Sequence, residues 1–215
     1  MAAAAEAGPT SLAIRCDVTD EASCASAIAE AADGLGGIDA VVYATGIGEL
    51  GRIADVSMES WRRTFDTNVI GASLITAAAL PHLLESGGRV AYLTSTSSHF
   101  TPPWPGLGAY AVSKAALNKL IEAWRSEHPH VGFTQVIVGE CGGGEGDSMV
   151  GFNEGWDLDL AVEFAPVWMA REYFSGHLMD VEELVKVVDN VLRCGASANI
   201  PSVAVLPRPP APTPG

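Results

Sequence analysis

The chain has 215 residues, 48% hydrophobic and 18% charged, with 26 acidic against 12 basic side chains and a formal net charge of −14. That is the composition of a globular protein of roughly one domain, neither disordered nor fibrous. A surface that tracks phosphates needs clustered Lys and Arg, and the sequence has none, so nucleic acid is not expected as a partner.

No continuous apolar run reaches the ~18 residues of a membrane span. The start, MAAAAEAGPT, has no basic region ahead of an apolar stretch. Cys16, Cys24, Cys141 and Cys194 form no CxxC pair. These features predict a cytoplasmic protein with reduced thiols, no membrane partner and no metal.

In chain order, an unstructured start over 1–10 leads to a short β-like run, SLAIRCD at 11–17, and then to EASCASAIAEAADG, which has helical spacing and closes on Gly34. The apolar IDAVVYAT at 38–45 is the pattern of a strand buried on both faces. A long amphipathic helix follows from the N-cap Ser57, with Trp61, Phe65, Val69, Ala72, Ala79 and Leu83 recurring on one stripe, and Pro81 is expected to bend or end it. RVAYLTS at 89–95 is the next strand, the Pro- and Gly-rich TPPWPGLG a loop, 109–126 a helix and FTQVIV at 133–138 another strand. CGGGEGDS reads as a flexible loop, 158–174 and 181–193 as helices, and 202–206 as a last strand before a Pro-rich tail from 207. Strands alternating with helices predict a single α/β domain over 1–215 with a mostly parallel sheet covered on both faces.

Chemistry concentrates in GAYAVSKAALNKL, where Tyr110 and Lys114 are four residues apart at a helix start and so share a face. A phenol near its usual pKa of ~10 exchanges protons poorly at neutral pH, and a nearby ammonium favours the phenolate and pulls that value down. Such a pair is suited to passing a proton to or from an alcohol or carbonyl oxygen. The ordinary alternative is a half-buried ring beside a solvated amine. The hydroxyl-rich LTSTSS at 93–98 lies at the carboxyl end of its strand, where open α/β sheets bind ligands.

With Asn68 in DTNVIG, this serine cluster and YAVSK, the chain resembles the short-chain dehydrogenase/reductase family. The likeness extends through CDVTD at 16–20, LPHLLESGGRV at 80–90 and SKAAL at 113–117. It implies a Rossmann-like, doubly wound fold and an NAD(P)-dependent oxidoreductase interconverting a small-molecule alcohol and carbonyl, with NAD or NADP as cofactor. Tyr110 would then be the general acid/base, Lys114 the group that lowers its pKa and binds the nicotinamide ribose, and Asn68 the holder of a relay water. Ser95, six residues on from Arg89, would donate to the substrate oxygen, with Ser97 the alternative by its spacing to the tyrosine. Asp17 and Val18 match the family's adenine contacts. Ala44, Thr45 and Gly46 stand where the family has NAG, and Ala44 departs from it.

Gly139-Glu140-Cys141 replaces the family's usual Pro-Gly. At the front, the family's TGxxxGxG pyrophosphate loop has no counterpart, since GIGELG at 46–51 follows a later strand. The expectation is therefore an N-terminally incomplete sheet, or a first strand shifted against 38–45. Weak NAD(P)H binding by the chain as given follows, as does a second function class, a catalytically impaired scaffold used for binding or subunit contact. Trp156, Phe164, Trp168 and Tyr173 line a substrate pocket or form plain core. Apolar Leu74, Ile75, Leu117, Leu120 and Ile121 around the helices at 57–84 and 109–126 predict a homo-oligomer, dimer or tetramer.

Overall fold

A computed structural model of the chain describes residues 8–142, 153, 155–173, 176–195 and 197–208. The expected flexible loop at 143–148, the start up to residue 7, position 174 of the expected helix and the tail from 209 lie outside the described residues.

Helix α1 (Glu21–Leu35) starts because the Asp20 carboxylate accepts from the Ser23 N–H at 2.6 Å. It stops where Gly36 adopts φ 80° and returns its N–H to the Ala32 carbonyl. Strand β1 (Ala40–Tyr43) follows, then α2 (Met58–Phe65), capped as expected by Ser57, whose hydroxyl accepts from the Ser60 N–H at 3.0 Å. A π turn over Asp66–Ile70 joins α2 to α3 (Gly71–Ser86). The remainder runs β2 (Arg89–Ser95), a 3₁₀ turn (Thr96–Ser98), α4 (Gly108–Glu127), β3 (Gly132–Val138), α5 (Leu158–Ala170), α6 (Val181–Leu192) and β4 (Ser202–Val205).

All four strands are parallel in the order β1-β2-β3-β4, with Ala40 opposite Arg89, Arg89 opposite Gly132 and Gln135 opposite Ser202. Side chains alternate along each strand, so two cores form. On one face Tyr43, Val90, Tyr92 and Phe133 meet Ala72, Ala79 and Leu83 of α3 and Leu117 and Ile121 of α4, with α1 packed on α3. On the other, Ala91 and Val136 meet Leu184 and Val191 of α6. The two core phenols are paired: Tyr92 shares a 2.6 Å hydrogen bond with the Thr76 hydroxyl, and Tyr43 donates to the Thr67 carbonyl at 2.5 Å. Burial holds both phenols neutral well above the usual tyrosine range.

Four expectations need correcting. Residues 11–17 form no strand, and among the described residues β1 pairs only with β2, so neither an independent first strand nor its shift against 38–45 is realised. A strand requires a neighbour to complete its ladder. This segment finds α1 instead, the Asp17 N–H donating to the Ser23 hydroxyl at 2.9 Å. Pro81 does not end α3, which continues to Ser86. Pro81 and Ala77, whose carbonyl loses its donor, are both exposed, so the unpaired carbonyl is open to solvent. Leu117 and Ile121 are fully buried within this one chain, and Ile75 and Leu120 pack against the same core; exposed apolar side chains here are Ile70, Leu84 and Val112. Finally, Met58–Ser86 is long and apolar enough to cross a membrane, although no uninterrupted apolar run reveals it. Its buried face carries Ala72, Thr76, Ala79 and Leu83, as a core helix does.

Neighbouring leucines test this packing. Leu83 is fully buried and Leu84 is 48% exposed. Leu83→Ala should lose about 2–5 kcal/mol in urea unfolding and Leu84→Ala less than about 0.5 kcal/mol. Equal losses would mean that α3 sits in a different rotation.

Candidate active site

The site lies at the carboxyl ends of β1 and β2. Helix α4 presents Tyr110, Lys114, Leu117 and Ile121 at spacings of four, three and four, a single stripe. The last two are anchored in the core, which turns the first two onto the end of β2. Lys114 is 5% exposed, and its ammonium donates to the Leu93 carbonyl at 2.8 Å and stands 5.7 Å from the Tyr110 ring centroid. The Tyr110 phenol is hydrogen-bonded to the hydroxyl of Ser95, the last residue of β2. Ser97 stands behind it, its hydroxyl 3.0 Å from that of Ser95 and its N–H donating to Ser95 Oγ at 3.2 Å. Of the two candidate serines, Ser95 is the one in contact with the phenol.

Asn68, fully buried, sits on the π turn and not within an α-helix. Its carbonyl oxygen accepts from the Ile47 N–H at 2.8 Å, and its amide donates to the Ile47 carbonyl and to Ser113 Oγ, both at 2.9 Å. Ser113 in turn donates to the Tyr110 carbonyl at 2.7 Å. Ile47 and Ser113 were not singled out from the sequence; a small hydroxyl three residues after the tyrosine is the only signal Ser113 gives. Gly46 lies beside the same group: a Cβ there would stand 3.2 Å from Lys114 Nζ and 3.4 Å from Asn68 Oδ1. Ala44, Thr45 and Gly46 are all exposed at the end of β1.

Asp17 and Val18 lie on the loop before α1. The Thr19 hydroxyl and N–H hold the exposed Asp17 carboxyl below the usual carboxylate range. Val18 packs against the core, and its carbonyl is 2.8 Å from where a Cβ on Gly71 would sit, so the loop approaches α3 at that glycine.

Electrostatics run against the sequence expectation for the pair. Burial raises the Tyr110 phenol to about 12, the Ser95 hydrogen bond opposing it, and burial lowers the Lys114 ammonium to about 8. Desolvation thus sets the direction of the Tyr110 shift, in place of the expected downward pull from the Lys114 ammonium.

Trp156, Phe164, Trp168 and Tyr173 resolve towards packing. Trp168 is buried, with Trp104, Trp156 and Phe164 at centroid distances of 5.7, 6.2 and 6.1 Å, and Tyr173 stacks on Trp104. The cluster also clips two loops, the Trp156 indole donating to the Gly48 carbonyl at 2.7 Å and that of Trp168 to the Pro105 carbonyl at 2.8 Å. Among the described residues, no group of three or more His, Cys, Asp or Glu side chains is arranged to hold a metal ion.

A family model described as short chain dehydrogenase matches residues 1–150, more than half of the chain. The chain belongs to the short-chain dehydrogenase family. It is 38% identical over 125 residues to the short chain dehydrogenase tazN of Aspergillus terreus, covering 56% of this chain and 27% of that one. It is 32% identical over 133 residues to 11-beta-hydroxysteroid dehydrogenase A of Sesamum indicum, covering 61% and 38%. An inactive 2-(S)-hydroxypropyl-CoM dehydrogenase 2 of Xanthobacter autotrophicus is 33% identical over 136 residues, covering 63% and 59%. The chain thus spans between about a quarter and three fifths of the length of these relatives. Among solved structures, a 3-ketoacyl-(acyl-carrier-protein) reductase from Brucella melitensis complexed with NADH superposes with a TM-score of 0.74 at 22% identity, over 94% of this chain and 80% of that one. An alcohol dehydrogenase from Thermococcus sibiricus complexed with 5-hydroxy-NADP gives 0.70 at 20%, over 88% and 72%. These likenesses show the Rossmann-like dehydrogenase fold.

The buried ammonium makes a stability prediction with a definite sign. Its folded value of about 8 lies below the ordinary lysine value of 10.5. The depressed group adds no penalty above the unfolded value; the penalty builds as pH falls from about 10.5 towards 8 and is fully present below about 8. Lys114→Met should therefore be more stable than the parent at pH 7, by at most about 3 kcal/mol before about 1 kcal/mol is lost with the Leu93 hydrogen bond. The advantage should vanish by about pH 10.5 in urea titrations across that range. An advantage that does not change with pH would show that the ammonium is not desolvated.

Proposed function

We propose that this short-chain dehydrogenase is an NAD(P)-dependent oxidoreductase that interconverts a small-molecule alcohol and a carbonyl by hydride transfer. The observation that carries the reading is the chain of contacts from the Ser95 hydroxyl to the Tyr110 phenol, with the Lys114 ammonium beneath the ring, at the carboxyl edge of the sheet.

Cofactor fit is best at the ribose and nicotinamide end. Gly46 leaves open the space that a Cβ would fill next to Lys114 Nζ and Asn68 Oδ1, so a ribose can approach both backbone and ammonium there. Ala44 and Thr45 extend that surface, and Asp17 and Val18 are the residues assigned to the adenine end. The stretch from Gly46 to Gly51 lies well before α2 begins at Met58, so its GxGxxG pattern is not at a helix N-terminus and supplies no pyrophosphate cradle. When bound, the nicotinamide supplies the hydride.

The chain's own residues handle the proton. Ser95 donates a hydrogen bond to the substrate oxygen, and Tyr110 Oη gives that oxygen its proton in reduction or takes it in oxidation. Protonated below pH about 8, Lys114 keeps a positive charge beside the ring and favours the phenolate once substrate has been reduced. Asn68 acts through Ser113 and Ile47, holding the turn that carries Tyr110 against the loop that carries Gly46. We further propose a dimer or tetramer through α2, α3 and α4, supported by Ile70, Leu84 and Val112, which are 47%, 48% and 46% exposed.

Carbonyl reduction followed by loss of reduced-nicotinamide absorbance tests the chemistry. Tyr110→Phe keeps the ring and should cut turnover by at least about 10²-fold with unfolding unchanged. Ser95→Ala should cost more than Ser97→Ala, since Ser95 hydrogen-bonds the phenol and Ser97 reaches Ser95. Near-parental turnover in Tyr110→Phe would remove the tyrosine from the chemistry. Sedimentation at micromolar concentration should show a species heavier than the monomer; a strict monomer overturns the assembly.

A further inference from the structure

Outside the active site, the described residues bring two thiols together across the loop that carries Asp17 and Val18. Cys24 is buried on the first turn of α1, and Cys16 is partly exposed at the other end of the loop. The contacts are reciprocal. Cys24 Sγ donates to the carbonyl of Asp17, the residue after Cys16, at 3.6 Å, and Cys16 Sγ lies 4.0 Å from the carbonyl of Ser23, the residue before Cys24. Cys24 also reaches the Val18 carbonyl at 3.6 Å, and the Asp17 N–H is tied to the Ser23 hydroxyl at 2.9 Å. Residues 16–17 and 23–24 are thus pinned side by side, close enough for the two thiols to influence one another. Neither thiol has a role in the chemistry proposed above.

We propose that Cys16 and Cys24 form a redox-sensitive pair that closes to an intramolecular disulfide on exposure to a peroxide and locks the Asp17–Val18 loop onto α1. The partly exposed Cys16 is the point of attack. Its sulfur takes one oxygen of hydrogen peroxide, the O–O bond breaks, a water leaves, and a sulfenic acid remains. The Cys24 sulfur then attacks that sulfur, the S–O bond breaks, the S–S bond forms and a second water leaves. Two thiols are oxidised by two electrons and one peroxide is reduced to two waters. Cys24 is 1% exposed and meets the oxidant only through Cys16, so it acts as the resolving thiol. Its burial raises the thiol to about 11, which makes closure the slow step. Closing the bond costs Cys24 its hydrogen bonds to the Asp17 and Val18 carbonyls and replaces them with a covalent tie.

Mass spectrometry reads this directly. No Lys or Arg lies between Arg15 and Arg52, so trypsin releases Cys16 and Cys24 on one peptide, free of Cys141 and Cys194. After peroxide treatment of the folded chain and alkylation in denaturant, that peptide should be lighter by two hydrogens, refuse the alkylating reagent, and recover it after dithiothreitol. Cys16→Ser and Cys24→Ser should each abolish the loss, and Cys24→Ser should leave Cys16 open to a sulfenic-acid probe such as dimedone. Because Cys24→Ser replaces a buried thiol, the partly exposed Cys16→Ser serves as the variant that keeps the packing. Two alkylated thiols on the treated parent peptide, or a disulfide from Cys16 to Cys141 or Cys194, would overturn the pairing.

Discussion

Asn68 holds the site together with one side-chain amide. Its carbonyl oxygen and its amide nitrogen grip the N–H and the carbonyl of Ile47, and the same nitrogen bonds Ser113, which bonds the backbone of Tyr110. Three segments far apart in sequence meet there: the loop after β1, the π turn and the first turns of α4. Asn68 and Ser113 are buried and the rest of the network is partly buried, where an unmade hydrogen bond costs about 1–3 kcal/mol per orphaned group. The loop after β1 makes no ladder hydrogen bonds of its own. The Trp156 indole also holds this loop at Gly48, but the amide is the tie nearest Gly46 and sets its approach to Lys114.

The second constraint is the charge buried beneath it. Lys114 is desolvated and satisfied by one carbonyl, a costly position that packing alone would fill better with a methionine. Tyr110 is desolvated beside it, and the Ser95 hydroxyl hydrogen-bonds its phenol and opposes that shift. Both groups are displaced from their ordinary values by burial, in opposite directions, so each is held towards its neutral form. Against this, the sheet and its two cores are conventional, with Val90, Tyr92 and Phe133 on one side and Ala91 and Val136 on the other.

Much of this could be read from the residues because it depends on local pattern. Strand β2 coincides with RVAYLTS, α4 with the stripe through Tyr110 and Lys114, and the start of α2 with Ser57 as its cap. The failures share a cause. A strand at 11–17 is locally reasonable, but whether a β-like run becomes a strand depends on a neighbour that its own residues do not specify. Pro81 breaks helices whose backbone is buried and is harmless on a wet face, and the sequence does not say which face is wet. The apolar girth of α3 and α4 exceeds one stripe in sequence, yet much of it is core, because the depth of the layer formed by α1, α3 and α4 depends on how the helices stack. The direction of the tyrosine shift failed for a similar reason: charge proximity follows from spacing, and desolvation follows from the whole fold. The position of Ser95 at the end of its strand was legible because β2 fixes where its last residue lies.

The π turn at Asp66–Ile70 carries one more residue than an α-turn would, closed by the bond from the Gly71 N–H to the Asp66 carbonyl. The helix on either side is ordinary, so the turn is a reservoir holding one surplus residue. Loss of a residue from within it would relax the segment to a plain α-helix and leave α2 and α3 facing their present neighbours, with only the aim of Asn68 changed. An added residue has no such reservoir to enter and would rotate one helix against the other. Natural length variation at this point of the chain is therefore expected to be one-sided, with shortening preserving the fold while silencing the site, and lengthening disturbing both.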